Sequence, residues 1–313
     1  MSRPHPAHVV DRTAITAPVR AADARSTSAT GEVYALGAAA GESPVWLAGR
    51  RIVASVDAVA GTVHLLRLED AMDEVMTLPR AASACVALTD DTLLLAAGRR
   101  FDILDLTTGT VSEAADRPGE PPPGADLNDA VLDRRGRIWT GARPARDDGD
   151  RGVLLAWPRG AEPVVAVDGL RGPNGLAWNA AGDRLYLADS RLRKIFLHPF
   201  DDATGSLGPG SVFASWDVRE GRPDGLAVDA EDHLWVAAWD GREVRRYAPD
   251  GRLDRAVAIP AARPSSCAFG GPRLDRLLVT SARPELDDAG DQGGSLFVLD
   301  VGIAGLANGT WAS

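Results

Sequence analysis

Residues 222–241 read RPDGLAVDAEDHLWVAAWDG, and this stretch decides the fold. A Pro-Asp-Gly start leads into a short alternating apolar run with Leu226 and Val228. A polar turn follows at residues 229–232, and a second apolar run covers residues 234–238. Two apolar runs separated by a tight polar turn predict a pair of antiparallel β-strands.

The same unit recurs along the chain. Residues 174–190 (NGLAWNAAGDRLYLADS) and 128–142 (NDAVLDRRGRIWTGA) are clear copies, and weaker copies cover residues 42–55, 83–97 and 266–282. Successive copies lie 41 to 50 residues apart, which is typical of propeller blades built from four short strands. The sequence therefore predicts an all-β fold, a six-bladed β-propeller with four-stranded antiparallel blades.

The two ends of the repeat region predict how the ring closes. Residues 32–37 (EVYALG) resemble a strand without a partner in its own unit, whereas residues 295–302 (SLFVLDVG) are the last strand of an incomplete final unit. We expect the N-terminal strand to complete that blade, because closure removes exposed sheet edges. Residues 1–30 lack a strand or helix period and predict a loosely ordered extension, which leaves residues 31–313 as a single propeller domain.

Composition narrows the classes of partner. The formal net charge of −10 argues against nucleic acid and anionic membrane surfaces, which require clustered positive charge. No apolar run is long enough to cross a membrane, and residues 1–31 lack the apolar core of a secretory signal. We predict a cytoplasmic protein with a small-molecule substrate, whereas the oligomeric state stays open. Cys85 and Cys267 lie in apolar runs and predict buried free thiols.

One register of the repeat carries oxygen-bearing side chains. Alignment of the six units on their second strands gives one equivalent position, occupied by Glu42, Ser83, Asn128, Asn174, Asp224 and Ser266. The innermost strands of a propeller face one another across the channel, so four carboxylates and amides from four blades should converge there. Such oxygen ligands suit one divalent cation, Ca²⁺ above all; Mg²⁺, Mn²⁺ and Zn²⁺ are the alternatives.

A simpler interpretation competes for each of these residues. Pro-Asn-Gly and Pro-Asp-Gly are turn formers, so Asn128, Asn174 and Asp224 could each cap a turn. The whole set favours a cation site, because Glu42 and Asp224 crowded in one channel repel each other unless a cation lies between them. Trp239 follows a second strand near the channel mouth, where it either lines a ligand pocket or packs between blades.

At these residues the sequence resembles a known family. The matching motifs are Gly-Glu-Ser-Pro-Val-Trp (41–46), Asn-Asp (128–129), Pro-Asn-Gly-Leu-Ala-Trp (173–178), Pro-Asp-Gly-Leu (223–226) and Ser-Cys-Ala-Phe-Gly-Gly (266–271). They resemble the regucalcin, gluconolactonase and senescence-marker-protein family over residues 32–301. The resemblance implies a six-bladed propeller with one divalent cation in its channel. Glu42, Asn174 and Asp224 match the family's metal ligands, and Asn128 matches the residue that contacts substrate or bound water.

The resemblance also implies an activity, namely the metal-dependent hydrolysis of lactones or related cyclic esters by a gluconolactonase-like enzyme of the EC 3.1.1 type. Asp224 is then the candidate general base that takes a proton from water. Two alternatives remain open at this stage. One is a non-catalytic propeller that binds a metal or ligand, and the other is a biosynthetic enzyme that uses the same metal site on a natural product.

One position departs from the family pattern. Members that act on sugar lactones carry Arg two residues before the Asn of the Asn-Asp motif, and this chain has Asp126 there. A negative side chain at that point predicts a changed substrate range, with a phosphate-free, less sugar-like or amine-bearing substrate. Arg143, which follows a second strand, either supplies the missing positive contact or is an ordinary exposed loop residue. We assign Asn128, Asp126, Arg143 and Trp239 to substrate binding.

Overall fold

The strands form a ring of antiparallel sheets. The structure, a computed structural model, describes residues 31–116, 119–144, 152–283 and 290–306, together with the backbone of three segments, His8–Val9, Thr16–Arg20 and Ser26–Ser28. Within these residues the strands make six sheets, one for each predicted blade. The predicted all-β, six-bladed propeller is confirmed, and blades are numbered one to six along the chain.

Each blade has four main strands, ordered from the channel outward. The innermost strands are Gly41–Leu47, Ala84–Thr89, Ala125–Leu132, Pro173–Trp178, Arg222–Val228 and Arg263–Gly270. The second strands are Ile52–Asp57, Thr92–Ala97, Ile138–Pro144, Arg184–Asp189, Leu234–Trp239 and Arg276–Ala282. The third strands are Thr62–Arg67, Arg100–Asp105, Gly152–Trp157, Lys194–Asp201, Glu243–Tyr247 and Leu296–Leu299. The outer strands are Met72–Thr77, Thr110–Glu113, Val164–Leu170, Ser211–Ser215, Leu253–Ala258 and Gly31–Tyr34.

The outer strand of blade six is the N-terminal strand Gly31–Tyr34, which precedes blade one in the sequence. Gly31–Tyr34 pairs antiparallel with Leu296–Leu299, and Val33 faces Phe297 in that ladder. The predicted closure is confirmed, although both strands are shorter than the sequence suggested. The innermost strands of neighbouring blades contact one another all the way around, including those of blades six and one, so the ring is complete.

Additional short strands pair with the blades. The segments Thr16–Arg20, His8–Val9 and Ser26–Ser28 pair with the outer strands of blades one, two and six, and Ser206–Leu207 pairs with the third strand of blade four. A 3₁₀ turn covers Val218–Glu220. No helix among the described residues is long and apolar enough to cross a membrane. The remainder of residues 1–30 lies outside the described residues, so the loosely ordered extension and the domain boundary stay predictions.

The core consists of layers between blades. Six clusters of buried apolar side chains each join two neighbouring blades, and one of them joins blade six to blade one through Tyr34, Val53, Leu66 and Leu278. The second strands are buried on both faces; every residue of Ile52–Asp57 is buried, for example. Apolar side chains therefore occupy consecutive positions there, because both faces of the sheet meet a neighbouring blade.

Two acidic residues outside the predicted site, Asp133 and Asp229, make contacts that stabilise the fold. Asp133 and Asp229 follow innermost strands, and in each the Oδ1 atom accepts backbone N–H groups of the next turn. The Oδ2 atoms accept the indole N–H of Trp139 and Trp235 at 2.9 and 2.8 Å. These carboxylates fix turns and buried tryptophans at the end of the strands opposite to the predicted site.

Ring closure can be tested at Val33, whose side chain is buried in the closing strand. We expect Val33→Asp to lower the free energy of unfolding by about 3 kcal/mol or more, because it buries an unpaired charge. The matched control is Val59→Asp, since Val59 is 71% exposed on a loop and should change stability by no more than about 0.5 kcal/mol. Urea denaturation measures both. Equal losses in the two variants would contradict a dependence on the closing strand.

Candidate functional site

Four oxygen-bearing side chains lie at one level of the channel. Glu42, Asn128, Asn174 and Asp224 are each in an innermost strand, near the end at which that strand begins. The ladder to the second strand shifts register next to each of them. Such bulges re-aim side chains and often lie beside functional sites. Asn128, Asn174 and Asp224 lie within strands, and not at the turns of the alternative interpretation.

The glycines of the Pro-Asn-Gly and Pro-Asp-Gly motifs serve packing between blades. A Cβ atom added to Gly175 would collide with the backbone of Asp224, and one added to Gly225 would collide with Ser266. Glycine therefore allows the innermost strands of blades four, five and six to approach closely at this level. The close approach brings the side chains before each glycine near one another.

The other two blades contribute small hydroxyl residues. In blade two, Ser83 donates from Oγ to the carbonyl oxygens of Leu127 and Asn128 at 2.9 and 3.0 Å, which braces the strand that carries Asn128. In blade six, the ladder puts Ser265 directly after the Pro264–Ser281 pair, as Asp224 follows Pro223. The bulge in blade six skips one residue rather than two, and Ser266, the residue predicted at this position, is the one that closely approaches Gly225 of blade five.

Like charges crowd the centre of the site. Burial raises the pKa of Glu42 well above its usual value, and the nearby charge of Asp224 raises it further. Burial likewise raises the pKa of Asp224, and the charge of Asp129 adds to the effect. Arg143 lowers both pKa values but does not cancel the increase. Without a further positive charge, the ionised forms of both acids are unfavourable in the folded protein.

The hydrogen bonds of the two amides leave oxygen atoms for a ligand. Asn128 donates from Nδ2 to the Pro173 carbonyl at 2.9 Å. Asn174 donates from Nδ2 to Ser190 Oγ at 3.2 Å, and Ser190 in turn donates to the Pro223 carbonyl at 2.7 Å. These bonds connect blades three, four and five at the level of the site. Asn174 also forms a side-chain hydrogen bond with Asp224, which lowers the pKa of that acid, and the amide oxygen of each asparagine is the atom that can bind a cation.

The residues present fit a divalent cation. Asp224 is 3% exposed, and its Oδ1 atom is buried without a hydrogen-bond donor among the described residues. A buried carboxylate oxygen without a partner is costly unless a cation or proton neutralises it. No group of three or more His, Cys, Asp or Glu side chains in the described part of the chain is arranged to hold a metal. The predicted ligand set is not a group of this type, because it combines the carboxylates of Glu42 and Asp224 with the side-chain amide of Asn174.

A third acid, Asp129, lies beside the set. Its Oδ1 atom accepts the amide N–H of Ala130 at 2.9 Å and the Ser43 hydroxyl at 3.4 Å. Burial raises the pKa of Asp129 to about 6, although both hydrogen bonds oppose the change. Ser43 itself has a positive φ of 48°, which is rare for a residue with a side chain. Asp129 thus adds negative charge near Glu42 and Asp224.

The predicted substrate-binding residues lie at the mouth of the channel. Asp126 is two residues before Asn128, and its direct partner on the second strand is the exposed Arg143. Trp239 is the corresponding partner of Arg222 in blade five. The guanidinium of Arg263 lies 5.2 Å from the centre of the Trp239 ring. The structure thus brings Arg143 near both site acids, whereas the roles of all four predicted residues in substrate binding stay predictions.

The channel continues past the site as a cavity of about 690 Å³. The cavity runs along the second halves of the innermost strands, and its lining includes Ser43, Cys85, Asp129, Cys267 and Leu306. Both cysteines are free and buried, as predicted, and burial raises the pKa of the Cys85 thiol to about 12. Asp129 therefore faces this cavity. Glu42 and Asp224 do not line the cavity and lie toward the other end of the channel, where the innermost strands begin.

Two charged residues of the site escaped the sequence analysis. Asp129 follows Asn128 in the Asn-Asp motif, but only the bulge shows that both positions belong to the channel. Arg222 has the same offset from Asp224 as Asp126 has from Asn128, and its charge lowers the pKa of Asp224. Comparison of these two offsets in the repeat would have identified Arg222 from the sequence.

The fold and the site define a class: a closed six-bladed propeller with carboxylates and amides gathered on its axis. A pentonolactonase of Haloferax volcanii is 29% identical over 85% of this chain and 92% of its own. An L-arabinolactonase of Azospirillum brasilense is 32% identical over 87% of this chain and 92% of its own. The crystal structure of a calcium-binding protein, regucalcin, from Agrobacterium tumefaciens has a TM-score of 0.82 at 26% identity and covers 92% of this chain and 97% of the other.

The family profile described as "SMP-30/Gluconolactonase/LRE-like region" matches residues 40–283. The chain belongs to this family. The resemblance predicted from the five motifs is therefore confirmed.

The crowding of acids predicts how stability responds to a cation. In chelator-treated protein at pH 7, we expect Glu42→Gln to raise the melting temperature by roughly 2 °C or more, because it removes one of two buried like charges. A carboxyl whose pKa is raised on folding destabilises the folded state once the pH exceeds its unfolded pKa. Added Ca²⁺ should then stabilise the wild type more than the variant, since bound ligand favours the folded state.

The matched control is Glu69→Gln, because Glu69 is exposed on a turn of the same blade. Differential scanning fluorimetry with and without Ca²⁺ measures all three proteins. Equal stabilisation of the wild type and Glu42→Gln by the cation would show that Glu42 does not face a bound ion.

Proposed function

We propose that this protein is a metal-dependent hydrolase of lactones or related cyclic esters. Membership of the family supports the proposal, as do the pentonolactonase and L-arabinolactonase among its relatives. The observation that carries it is the pairing of Glu42 with Asp224, whose Oδ1 atom is buried without a donor among the described residues. Two acids in that state suit a bound cation with an open position for substrate.

The residues that would hold the cation are Glu42, Asn174 and Asp224. Their donor atoms are oxygens, which favour Ca²⁺, with Mg²⁺, Mn²⁺ and Zn²⁺ as alternatives. The regucalcin neighbour, described as a calcium-binding protein, supports the first choice. The chemistry that such a cation supplies is polarisation of the lactone carbonyl and stabilisation of the negative charge that develops on its oxygen.

The chain's own residues supply the proton transfer. Asp224 accepts a proton from the attacking water as the water oxygen bonds to the carbonyl carbon. The bond between that carbon and the ring oxygen then breaks, and the ring oxygen takes up a proton to give a hydroxy acid. Glu42 contributes charge without taking part in the transfer, and Asn128 contacts the substrate or the water. Asp126, Arg143 and Trp239 line the entrance through which a small molecule reaches the site.

A non-catalytic, cation-binding propeller is the second candidate. The name of the regucalcin neighbour refers to calcium binding alone, and the same side chains would serve that role. In the hydrolase Asp224 accepts a proton from water, whereas in the binding protein no proton is transferred. A measurement of lactone turnover therefore distinguishes the two candidates. A cytoplasmic location remains part of the proposal.

The role of Asp224 predicts the effect of an isosteric substitution. We expect Asp224→Asn to lower kcat on aldonolactones by about 100-fold or more, because an amide cannot take the proton from water. The matched control is Asp250→Asn, an exposed residue of a turn in the same blade, which should keep wild-type turnover. A pH-stat assay of acid release measures both variants. Wild-type turnover in Asp224→Asn, or a complete lack of turnover in all three proteins, would contradict the proposed hydrolase.

The pH profile tests the electrostatics of the same acid. Asp129 raises the pKa of Asp224, so its removal should favour ionised Asp224 at lower pH. We expect Asp129→Asn to move the acidic limb of kcat/KM to lower pH, because activity requires the ionised base. The asparagine keeps an Oδ1 acceptor for Ser43 and Ala130. A limb that stays in place, with Asp250→Asn as the reference, would show that Asp129 does not influence the base.

A further inference from the structure

The cavity on the channel axis opens to solvent at the end opposite to the mouth. Its lining includes Asp90, Arg134 and Pro272, which are exposed and lie in the turns that follow the innermost strands of blades two, three and six. A small molecule can therefore enter this cavity of about 690 Å³ without passing Glu42 and Asp224, neither of which lines it.

The wall of the cavity is largely apolar. Val45, Ala87, Val131 and Ala227 lie on the innermost strands of four blades, line the cavity and remain partly exposed. Removal of such apolar surface from water is favourable, and small-molecule sites usually combine an apolar wall with a few polar groups. The wall is therefore suited to the hydrocarbon part of a ligand.

Asp129 supplies a charged group at the inner end of the cavity. Its Oδ1 atom accepts the amide N–H of Ala130 at 2.9 Å and the Ser43 hydroxyl at 3.4 Å. Among the described residues, its Oδ2 atom accepts no hydrogen bond and no arginine forms an ion pair with it. A carboxylate enclosed by apolar surface is unfavourable without a positively charged partner. The Oδ2 atom is thus available to a ligand in the cavity.

The other charged residues of the lining lie at its outer end and have partners. Asp133 forms an ion pair with Arg137 at 2.5 Å, and Asp90 accepts a backbone N–H of blade one at 2.9 Å. Arg134 donates to two backbone carbonyl oxygens that follow the innermost strand of blade four. The lining as a whole has three acids and one arginine, so it favours a cation, and Asp129 is the acid with an oxygen to offer.

We propose that this cavity binds an apolar organic cation, namely a protonated amine with a hydrocarbon body. The ammonium group donates to the Oδ2 atom of Asp129, and a hydrogen bond between two charged groups is stronger than one between neutral groups. The hydrocarbon body covers the apolar wall and removes it from water. This site is separate from the proposed metal ligands, and the inference does not depend on lactone hydrolysis.

The test uses the primary n-alkylamines from propylamine to hexylamine, each beside the alcohol and the carboxylate of the same chain length. Isothermal titration calorimetry is run with saturating Ca²⁺ at pH 8, where the alkylamines are protonated. The pKa of Asp129, raised by burial to about 6, leaves its carboxylate ionised at that pH. We expect each amine to bind at least about 10-fold more tightly than its alcohol, and the carboxylate not to bind. Each added methylene should tighten binding about fourfold until the cavity is full.

Asp129→Asn separates the charge of the site from its shape, since asparagine keeps an Oδ1 acceptor for Ser43 and Ala130. We expect the preference for the amine over the alcohol to fall to less than about 2-fold, with the affinity for the alcohol unchanged. The matched control is Asp90→Asn, which removes the exposed acid at the outer end of the same cavity and should keep the preference.

Ala227→Leu tests the position of the hydrocarbon body, because the larger side chain occupies part of the cavity. The increase in affinity with chain length should then stop at a shorter amine than in the wild type. Ala203→Leu, on an exposed turn, is the control and should leave the whole series unchanged.

Three results would overturn the inference. They are equal binding of amine and alcohol by the wild type, a preference for the amine that survives in Asp129→Asn, and an affinity that does not rise with chain length. A channel that holds only water would bind none of the probes, which overturns it as well. Lactone turnover is not measured here, so the proposed hydrolase stands or falls separately.

Discussion

The repulsion between the carboxylates of Glu42 and Asp224 is the interaction on which the site depends. Both acids are brought together on the axis, and burial raises the pKa of each; the charge of Asp224 raises the pKa of Glu42 further, and the charge of Asp129 raises both. In water the two groups would move apart, since carboxylates that share a site cannot both ionise cheaply. Here the strands that carry them belong to blades one and five, and both blades are fixed in a closed ring. The rigid scaffold thus maintains an arrangement that favours a positively charged ligand.

The layers between blades provide this rigidity. Each neighbouring pair of blades shares a cluster of buried apolar side chains, and interiors of this kind are close-packed and resist displacement. Hydrogen bonds at the level of the site add directional restraint, as the bonds from Asn128 to Pro173 and from Ser190 to Pro223 illustrate. Glycines at 175 and 225 complete the fit, because they let adjacent strands approach without a side chain between them.

Much of the fold could be predicted from the repeat, and less of the site. The spacing of the copies and the polar turns between apolar runs identified the blades, because each blade repeats the same local physics. The four positions of Glu42, Asn128, Asn174 and Asp224 followed from aligning second strands. The length of the bulge in blade six could not be predicted, because a bulge changes the count of residues without changing the apolar pattern. Asp129 required the ladder register, since it does not stand out within its own strand, whereas Arg222 has the same offset from Asp224 as Asp126 has from Asn128 and could have been found from the sequence.

The two halves of the channel differ in chemistry. The mouth is lined by charged residues such as Asp126, Arg143 and Arg222, whereas the cavity beyond the site has a largely apolar wall along the later parts of the innermost strands. Asp129 and Ser43 lie at the boundary between the halves. A polar ligand is therefore favoured at the mouth and not in the cavity beyond the site, so the two ends of the channel are not equivalent.

The strand that closes the ring also determines when the site can exist. Leu296 must pair with Tyr34, yet every member of the site set precedes residue 225. During synthesis the ribosome releases Glu42 and Asp224 long before the third strand of blade six is made. Contacts between residues so distant in sequence form slowly, because a long loop must close first. A nascent chain therefore holds all its site residues in an open arc, and it gains a fixed site only when its last blade is assembled.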